Sequence, residues 1–303
     1  MLNDRTGRSF LEPAVLGRLG ALPLSARRPM QGNVSGRHPS PHRGSSVEFA
    51  EYRKYVPGDD LRRLDWRAYG RNDRFYVKEF EADTNLRCCL VVDTSGSMGF
   101  GSEGMTKIEY ARRLAGTLGY LASQQGDAVG LSCVADGIVR SVPPRRSPAH
   151  LRTIFDLLEH TEPKGDTALA ATLHELAETI AQRAMVIIIS DLFVEPNLLR
   201  SAFQHLRFRR HDVVAFHLLD PLELNFTFRR PMRFLDMEGG PAIFADPTDI
   251  VDRYQQALHT YLADLKQVVL ESSVDYHRVS LDQDYEQVLV RFLVARSTRK
   301  GAL

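Results

Sequence analysis

From residue 86 onward, short runs that are apolar at nearly every position alternate with longer amphipathic stretches. Runs such as 86–92 and 185–190 are typical of strands that are buried on both faces of a parallel sheet. The stretches between the runs carry apolar residues at helical spacing, and Thr106 with Glu109 opens one of them with a capping-box pattern. Strands that alternate with helices predict a doubly wound α/β sheet, mostly parallel with one antiparallel edge strand.

The N-terminal part of the chain has a different pattern and divides into two segments. Residues 1–46 carry seven Arg and two acidic residues, with many Pro, Gly and Ser. A short helix is predicted within 11–22, and the remainder of this segment is expected to be a flexible, solvated arm. Residues 47–85 contain two alternating runs, 47–55 and 75–81, which predict a pair of half-buried strands.

A further hairpin is predicted late in the chain. Residues 234–238 and 242–245 are short runs on either side of Gly239 and Gly240, and this pair of glycines indicates a turn. Asp246 is then placed to cap a long helix.

Composition indicates an ordinary soluble protein. Lys and Arg total 39 and Asp and Glu total 38, so the net charge of +1 gives no overall field for nucleic acid or an anionic membrane. The three cysteines, Cys88, Cys89 and Cys133, lie in predicted apolar strands and lack the spacing of a disulfide framework. No apolar run approaches the roughly 18 residues of a membrane-spanning helix, and no signal-type segment is present. We therefore expect a cytoplasmic protein.

Candidate chemistry follows the first apolar run of the sheet. Asp93, Ser95 and Ser97 come directly after it at positions i, i+2 and i+4. Ligands in doubly wound sheets collect beyond the carboxyl ends of the strands, where a loop can direct these three side chains at one point. Small, hard oxygen ligands of this kind suit Mg²⁺ or Mn²⁺.

Two more polar residues are presented in a similar way. Asp191 follows the run 185–190. In a doubly wound sheet the strand that follows the topological switch point, here 185–190, is expected to lie beside the first strand of the sheet. Thr167 begins a helix after a loop, and topology alone does not fix its position. Capping and turn chemistry is the alternative explanation for any one of these residues.

The order Asp93-x-Ser95-x-Ser97, then Thr167, then Asp191 resembles the metal-ion-dependent adhesion site of von Willebrand factor A domains, and all five ligand positions are matched. The resemblance implies that the two serines and the threonine bind Mg²⁺ directly and that the two aspartates bind it through water. It also implies an open coordination position that takes an acidic residue of a binding partner.

A second resemblance covers about residues 32–296. The segment before the apolar run 86–92 resembles the bacterial family labelled DUF58, whose members are typically encoded with MoxR-type AAA+ ATPases. The matching positions, which could also form an interface, are Arg53, Tyr55, Gly58, Asp59, Asp60, Arg62, Leu64, Asp65, Trp66 and Arg71. A surface salt-bridge network around a packed Trp66 is the alternative interpretation of this segment, and Trp and Arg at binding hot spots are the functional one.

Together these patterns predict four segments: a basic arm (1–46), a DUF58 signature segment (47–85), a von Willebrand A-like domain (86–296) and a tail (297–303). The expected function is a non-enzymatic, Mg²⁺-dependent interaction module that binds an acidic residue of a MoxR-type AAA+ ATPase or of the client of that ATPase.

Two other classes of function remain open at this point. Asp59, Asp60 and Asp65 could add a second ion site or a general base and make the protein a metal-dependent phosphoesterase or other hydrolase. The Arg-rich arm could bind nucleic acid, in which case binding would be sensitive to salt and would need residues 1–46.

Overall fold

The computed structural model describes residues 8–26, 48–54, 69, 75–81, 86–102 and 104–298. The chain divides into two compact units, Arg28–Leu86 on the one hand and Met1–Arg27 with Arg87–Leu303 on the other. Of the DUF58 signature positions, Arg53 lies in a described strand. The others, Tyr55, Gly58, Asp59, Asp60, Arg62, Leu64, Asp65, Trp66 and Arg71, lie outside the described residues.

The smaller unit contains an antiparallel pair of strands, β1 (Glu48–Lys54) and β2 (Tyr76–Glu81). Phe49 pairs with Phe80, and the register shifts between Phe49 and Glu51. The two alternating runs in the sequence therefore form the strand pair that they predict.

The larger unit is built on a six-stranded sheet. The other strands within the described residues are β3 (Arg87–Asp93), β4 (Ala128–Val134), β5 (Ile138–Arg145), β6 (Met185–Ser190), β7 (Asp212–Leu219), β8 (Met232–Phe234), β9 (Ile243–Ala245) and β10 (Asp275–Ser280). The sheet has the order β10-β7-β6-β3-β4-β5, and only the β4–β5 pair is antiparallel. This confirms the doubly wound, mostly parallel sheet with one antiparallel edge.

Helices cover both faces of this sheet. They are α1 (Pro13–Leu19), α2 (Lys107–Gln124), α3 (Pro148–His160), α4 (Leu169–Thr179), α5 (Pro196–Phe208), α6 (Pro221–Asn225), α7 (Pro247–Glu271) and α8 (Tyr285–Thr298). On one face α4, α5 and α7 pack together, and their Leu173, Phe203 and Leu265 form a core with Val91 of β3 and Ile188 of β6. On the other face α2 packs against α1, α3 and α8. None of the described helices has both the length and the apolar character needed to cross a membrane.

Local sequence signals explain where several helices begin. The Thr106 side chain accepts a hydrogen bond from the Glu109 N–H at 3.3 Å, and Glu109 bonds back to the Thr106 N–H at 2.8 Å, so the predicted capping box opens α2. Asp246 likewise accepts from the Thr248 N–H at the start of α7. These caps satisfy backbone N–H groups that have no partner within the helix.

The helix α1 confirms the short helix that is predicted within 11–22. The described residues around it differ from the solvated arm that composition predicts, and residues 1–7 and 27–46 lie outside the described residues. Phe10, Leu19 and Leu24 are buried, and Ser25 accepts a hydrogen bond from Arg296 Nε of α8 at 2.8 Å through its carbonyl. Burial of these apolar side chains outweighs the tendency of an Arg-rich segment to remain solvated. This segment therefore packs onto the larger unit.

The strands β8 and β9 form a small antiparallel hairpin in which Met232 pairs with Ala245 and Phe234 with Ile243. The prediction of a strand over 234–238 is wrong for its last four residues. Asp236 Oδ1 accepts the Glu238 N–H at 2.8 Å, and this side-chain bond holds the segment in a turn rather than in a strand.

Candidate metal centre

The site forms where the sheet changes winding direction. β3 pairs with β4 on one side and with β6 on the other, and Val92 lies opposite Ile189 in the β3–β6 register. Asp93 is the last residue of β3, and Asp191 directly follows β6. The two carboxylates therefore lie at the same edge of the sheet, as the winding order predicts.

Hydrogen bonds hold Asp93 and the two serines in place. Asp93 Oδ1 accepts the Ser95 N–H at 2.9 Å, and Asp93 Oδ2 accepts the Ser190 hydroxyl at 2.6 Å. The chain then enters a single 3₁₀ turn over Gly96–Gly99, and the hydroxyl oxygens of Ser95 and Ser97 lie 3.1 Å apart. One carboxylate and two hydroxyls thus converge at the end of β3.

Asp93 is almost completely buried, at 1 % exposure. Burial, together with the nearby negative charge of Asp191, raises the pKa of its carboxyl to about 6, although the hydrogen bonds from Ser190 and Ser95 lower it. A positive charge at this point would favour the ionised form of the carboxyl.

A second loop brings Thr167 to the same edge. The Gly96 N–H donates to the Gly165 carbonyl at 2.8 Å, and the Lys164 N–H donates to the Thr94 carbonyl at 2.8 Å. The loop before α4 is therefore bonded directly to the loop after β3. Thr167 Oγ1 is buried and has no hydrogen-bond partner among the residues that the structure describes.

The unpartnered hydroxyl of Thr167 shows whether the residues at this edge would fit a cation. A buried hydroxyl without a partner costs free energy, and a water or an ion that binds to it is one way in which that cost is removed. A hydroxyl oxygen is also a ligand that Mg²⁺ accepts. The residues at this edge therefore fit a small, hard divalent cation.

Asp191 differs from Asp93 because it has a cation of the chain beside it. Lys107 Nζ donates to Asp191 Oδ2 at 2.9 Å and to Glu223 Oε1 at 2.6 Å, and Lys107 is 1 % exposed. Asp191 and Glu223 thus share one ammonium group, while Asp93 is held by hydroxyl and backbone donors. The centre retains a formal charge of −2 when all three carboxylates are ionised, which is the charge that a divalent cation balances.

The donor set depends on hydroxyls as much as on carboxylates. Within the described residues, no group of three or more His, Cys, Asp or Glu side chains is arranged to hold a metal ion. Serine and threonine hydroxyls make up three of the five side chains that the sequence predicts as ligands. The site is therefore suited to Mg²⁺ or Mn²⁺ rather than to a thiolate- or imidazole-bound metal.

An aromatic groove of about 500 Å³ adjoins the centre. Ser97 and Glu238 lie in its wall, and its aromatic lining is formed by Phe100, Phe193, Phe226, Phe228, Phe234 and Tyr254. Glu238 Oε2 also accepts the Thr167 N–H at 3.3 Å. The loop between β8 and β9 is therefore part of the site.

Sequence reasoning missed four residues of this arrangement. Ser190 immediately precedes Asp191, so a polar pair after an apolar run could have indicated it. Lys107, Glu223 and Glu238 reach the site from elements far apart in the chain, and no local pattern distinguishes them from exposed charges.

Comparison with known proteins places the chain among bacterial relatives. The family model described as "Protein of unknown function DUF58" matches residues 51–260. An uncharacterized protein of Mycobacterium tuberculosis (strain ATCC 25618 / H37Rv) is 28 % identical over 298 residues, which cover 96 % of this chain and 92 % of the relative. A relative from Mycobacterium bovis matches to the same extent.

Solved structures of similar architecture are more distant in sequence. BatB, a conserved hypothetical protein from Bacteroides thetaiotaomicron, has a TM-score of 0.48 and 16 % identity, covering 71 % of this chain and 100 % of its own. The SpRpn10 VWA domain has a TM-score of 0.41 and 9 % identity, covering 68 % of this chain and 94 % of its own. The strand order and the helices on both faces make the present fold von Willebrand A-like.

Proposed function

The chain belongs to the DUF58 family, and from this premise we propose that it is a protein-interaction module that binds an acidic side chain of its partner through Mg²⁺. The observation that carries the proposal is the edge formed by β3 and β6, where two carboxylates meet three hydroxyls and one of these hydroxyls is buried without a partner.

In this proposal Ser95, Ser97 and Thr167 offer hydroxyl oxygens to the cation, and Asp93 and Asp191 offer carboxylates. When bound, Mg²⁺ supplies the positive charge that pairs with the carboxylate of a partner. Ser190 orients Asp93 through its 2.6 Å hydrogen bond, and Lys107 orients Asp191 through its 2.9 Å bond. Groups that orient metal ligands in this way strengthen metal binding.

The partner that best suits this module is a MoxR-type AAA+ ATPase or a protein that the ATPase remodels, as the family resemblance suggests. The aromatic groove beside Ser97 would then receive an apolar side chain next to the acidic residue of the partner. Such a pair of contacts would combine charge with apolar burial, which gives both specificity and affinity.

The experiment is a binding assay between this protein and the purified MoxR-type AAA+ ATPase of the same organism, in Mg²⁺ and in EDTA. Asp93→Ala removes a ligand, and Asp264→Ala, at an exposed position of α7, is the matched control. The proposal expects binding by the wild type and the Asp264 variant in Mg²⁺ only, and loss of binding by the Asp93 variant. Equal binding in EDTA would contradict it.

A further inference from the structure

The loop between β8 and β9 brings a carboxylate of the chain itself to the metal centre. Glu238 Oε2 accepts the Thr167 N–H at 3.3 Å, so its carboxylate lies beside the residue that carries the unpartnered hydroxyl. The same loop touches the other ligand loop, because a Cβ on Gly96 would lie 2.0 Å from the Met237 carbonyl oxygen. Two successive residues of the loop thus contact both loops that carry the hydroxyl ligands.

The turn directs Glu238 inward. Glu238 is partly buried, whereas Asp236, Met237 and Gly239 around it are exposed. Asp236 Oδ1 accepts the Glu238 N–H at 2.8 Å, and Gly239 has a φ of +93°, a conformation that favours glycine. The local backbone therefore sets the direction of this carboxylate.

The cation that the chain itself supplies at this edge is already engaged. Lys107 Nζ donates to Asp191 and to Glu223, whereas the carboxylate of Glu238 lies against the Thr167 N–H. A divalent cation at the hydroxyl ligands would attract this carboxylate. Carboxylates are also the side chains that Mg²⁺ and Mn²⁺ bind most readily.

We infer that Glu238 is an internal ligand: in the metal-loaded protein without a partner, its carboxylate fills the coordination position that the acidic residue of the partner takes. The partner then competes with the β8–β9 hairpin for the metal. This inference rests on the proposed function, since it requires a cation at Asp93, Ser95 and Ser97.

The hairpin is suited to being displaced. Its strands have three residues each, and two-stranded hairpins of this size have little stability of their own. Leu235, Ile243 and Phe244 are 65 %, 63 % and 75 % exposed, so the hairpin leaves apolar surface uncovered beside the centre. Its displacement would uncover Ser97 and the aromatic groove together, since residues 234–238 form one wall of that groove.

The test uses Mn²⁺ as the probe on the full chain, with binding followed by electron paramagnetic resonance and by water-proton relaxation. Glu238→Gln removes the carboxylate and keeps its size. Glu175→Gln, at an exposed position on the second turn of α4, is the charge-matched control, and Glu238→Asp keeps the charge at a shorter reach. Acetate serves as a free carboxylate that can enter an open coordination position.

We expect Glu238→Gln to bind Mn²⁺ roughly tenfold more weakly than the wild type. The bound ion should gain a water, so its relaxivity should rise, and acetate should lower that relaxivity in this variant but not in the wild type. Glu238→Asp should fall between the two, and Glu175→Gln should match the wild type.

Equal Mn²⁺ affinity and relaxivity in the Glu238→Gln and Glu175→Gln variants would overturn the internal ligand and leave the metal centre intact. Absence of Mn²⁺ binding by the wild type, or equal binding by an Asp93→Ala variant, would instead overturn the proposed function. The two failures are therefore distinguishable.

Discussion

Replacement of Thr167 by valine should affect the free energy of unfolding and the metal affinity in opposite directions. The change exchanges the buried, unpartnered hydroxyl for a methyl group of similar size. A buried polar group without a hydrogen bond costs about 1–3 kcal/mol, so removing it should leave the metal-free protein equally stable or more stable by about 1 kcal/mol. The same change deletes one of the proposed ligands and should weaken Mn²⁺ binding roughly tenfold.

The matched control is Thr172→Val in the following helix. Thr172 is 2 % exposed, and its hydroxyl donates to the Ala168 carbonyl at 3.0 Å, so it is a buried threonine that has a partner. Its loss should destabilise the protein by about 0.5–1.5 kcal/mol and leave Mn²⁺ affinity unchanged. The two variants therefore have opposite expected results in both measurements.

The assays are urea unfolding in EDTA and Mn²⁺ titration in the absence of denaturant. The reasoning is refuted if Thr167→Val lowers the free energy of unfolding as much as Thr172→Val does while Mn²⁺ affinity stays at the wild-type value. In that case the Thr167 hydroxyl would belong to the fold and not to a metal site.

Three further predictions concern the surroundings of the site. The pKa of Asp93 is raised to about 6, mainly by burial, so protonation of its carboxyl stabilises the metal-free fold at low pH, and this contribution is lost as the pH rises through 6. Because the metal needs the ionised carboxylate, Mn²⁺ affinity should fall about tenfold per pH unit below 6 and level off above about 7. Titrations at several pH values would show this dependence. Lys107→Met leaves Asp191 and Glu223 buried without their cation and should lower the free energy of unfolding by about 3–5 kcal/mol in urea at pH 7. The loss should be smaller when Glu223→Gln is added, because one of the two unpaired charges is then removed. An equal loss in the single and double variants would contradict the shared ion pair. Gly96→Ala places a methyl group 2.0 Å from the Met237 carbonyl oxygen. The change should therefore lower the free energy of unfolding by about 1–3 kcal/mol and make the β8–β9 loop more sensitive to limited proteolysis. Unchanged stability and cleavage would show that this contact is not retained in solution.

Local sequence patterns were sufficient to predict the strands of the large sheet and the position of its proposed metal-binding edge. The strand Met185–Ser190 has the bounds that the sequence predicts, because a continuous apolar run is a strong signal for a strand buried on both faces. The order of strands and helices then requires β3 and β6 to be neighbours, which brings Asp93 and Asp191 to one edge.

Long-range contacts account for what the sequence did not reveal. The buried state of Lys107 depends on Asp191 and Glu223, which lie 84 and 116 positions further along the chain. Glu238 reaches Thr167 across 71 positions, from a segment that the sequence predicted as one strand of a hairpin. In the N-terminal segment the sequence predicts the short helix, but the excess of Arg favoured a solvated arm around it. The apolar residues Phe10 and Leu24 could have indicated that the flanking residues are packed.

The most direct test of the account is a calorimetric titration of the protein with Mg²⁺ at pH 7.5, repeated with Asp93→Ala and with Asp264→Ala. We expect one Mg²⁺ to bind per chain in the wild type and in the Asp264 variant, and no detectable binding in the Asp93 variant. Mg²⁺ binding that persists without the Asp93 carboxylate, or that is absent from the wild type, would contradict a metal centre at the β3–β6 edge.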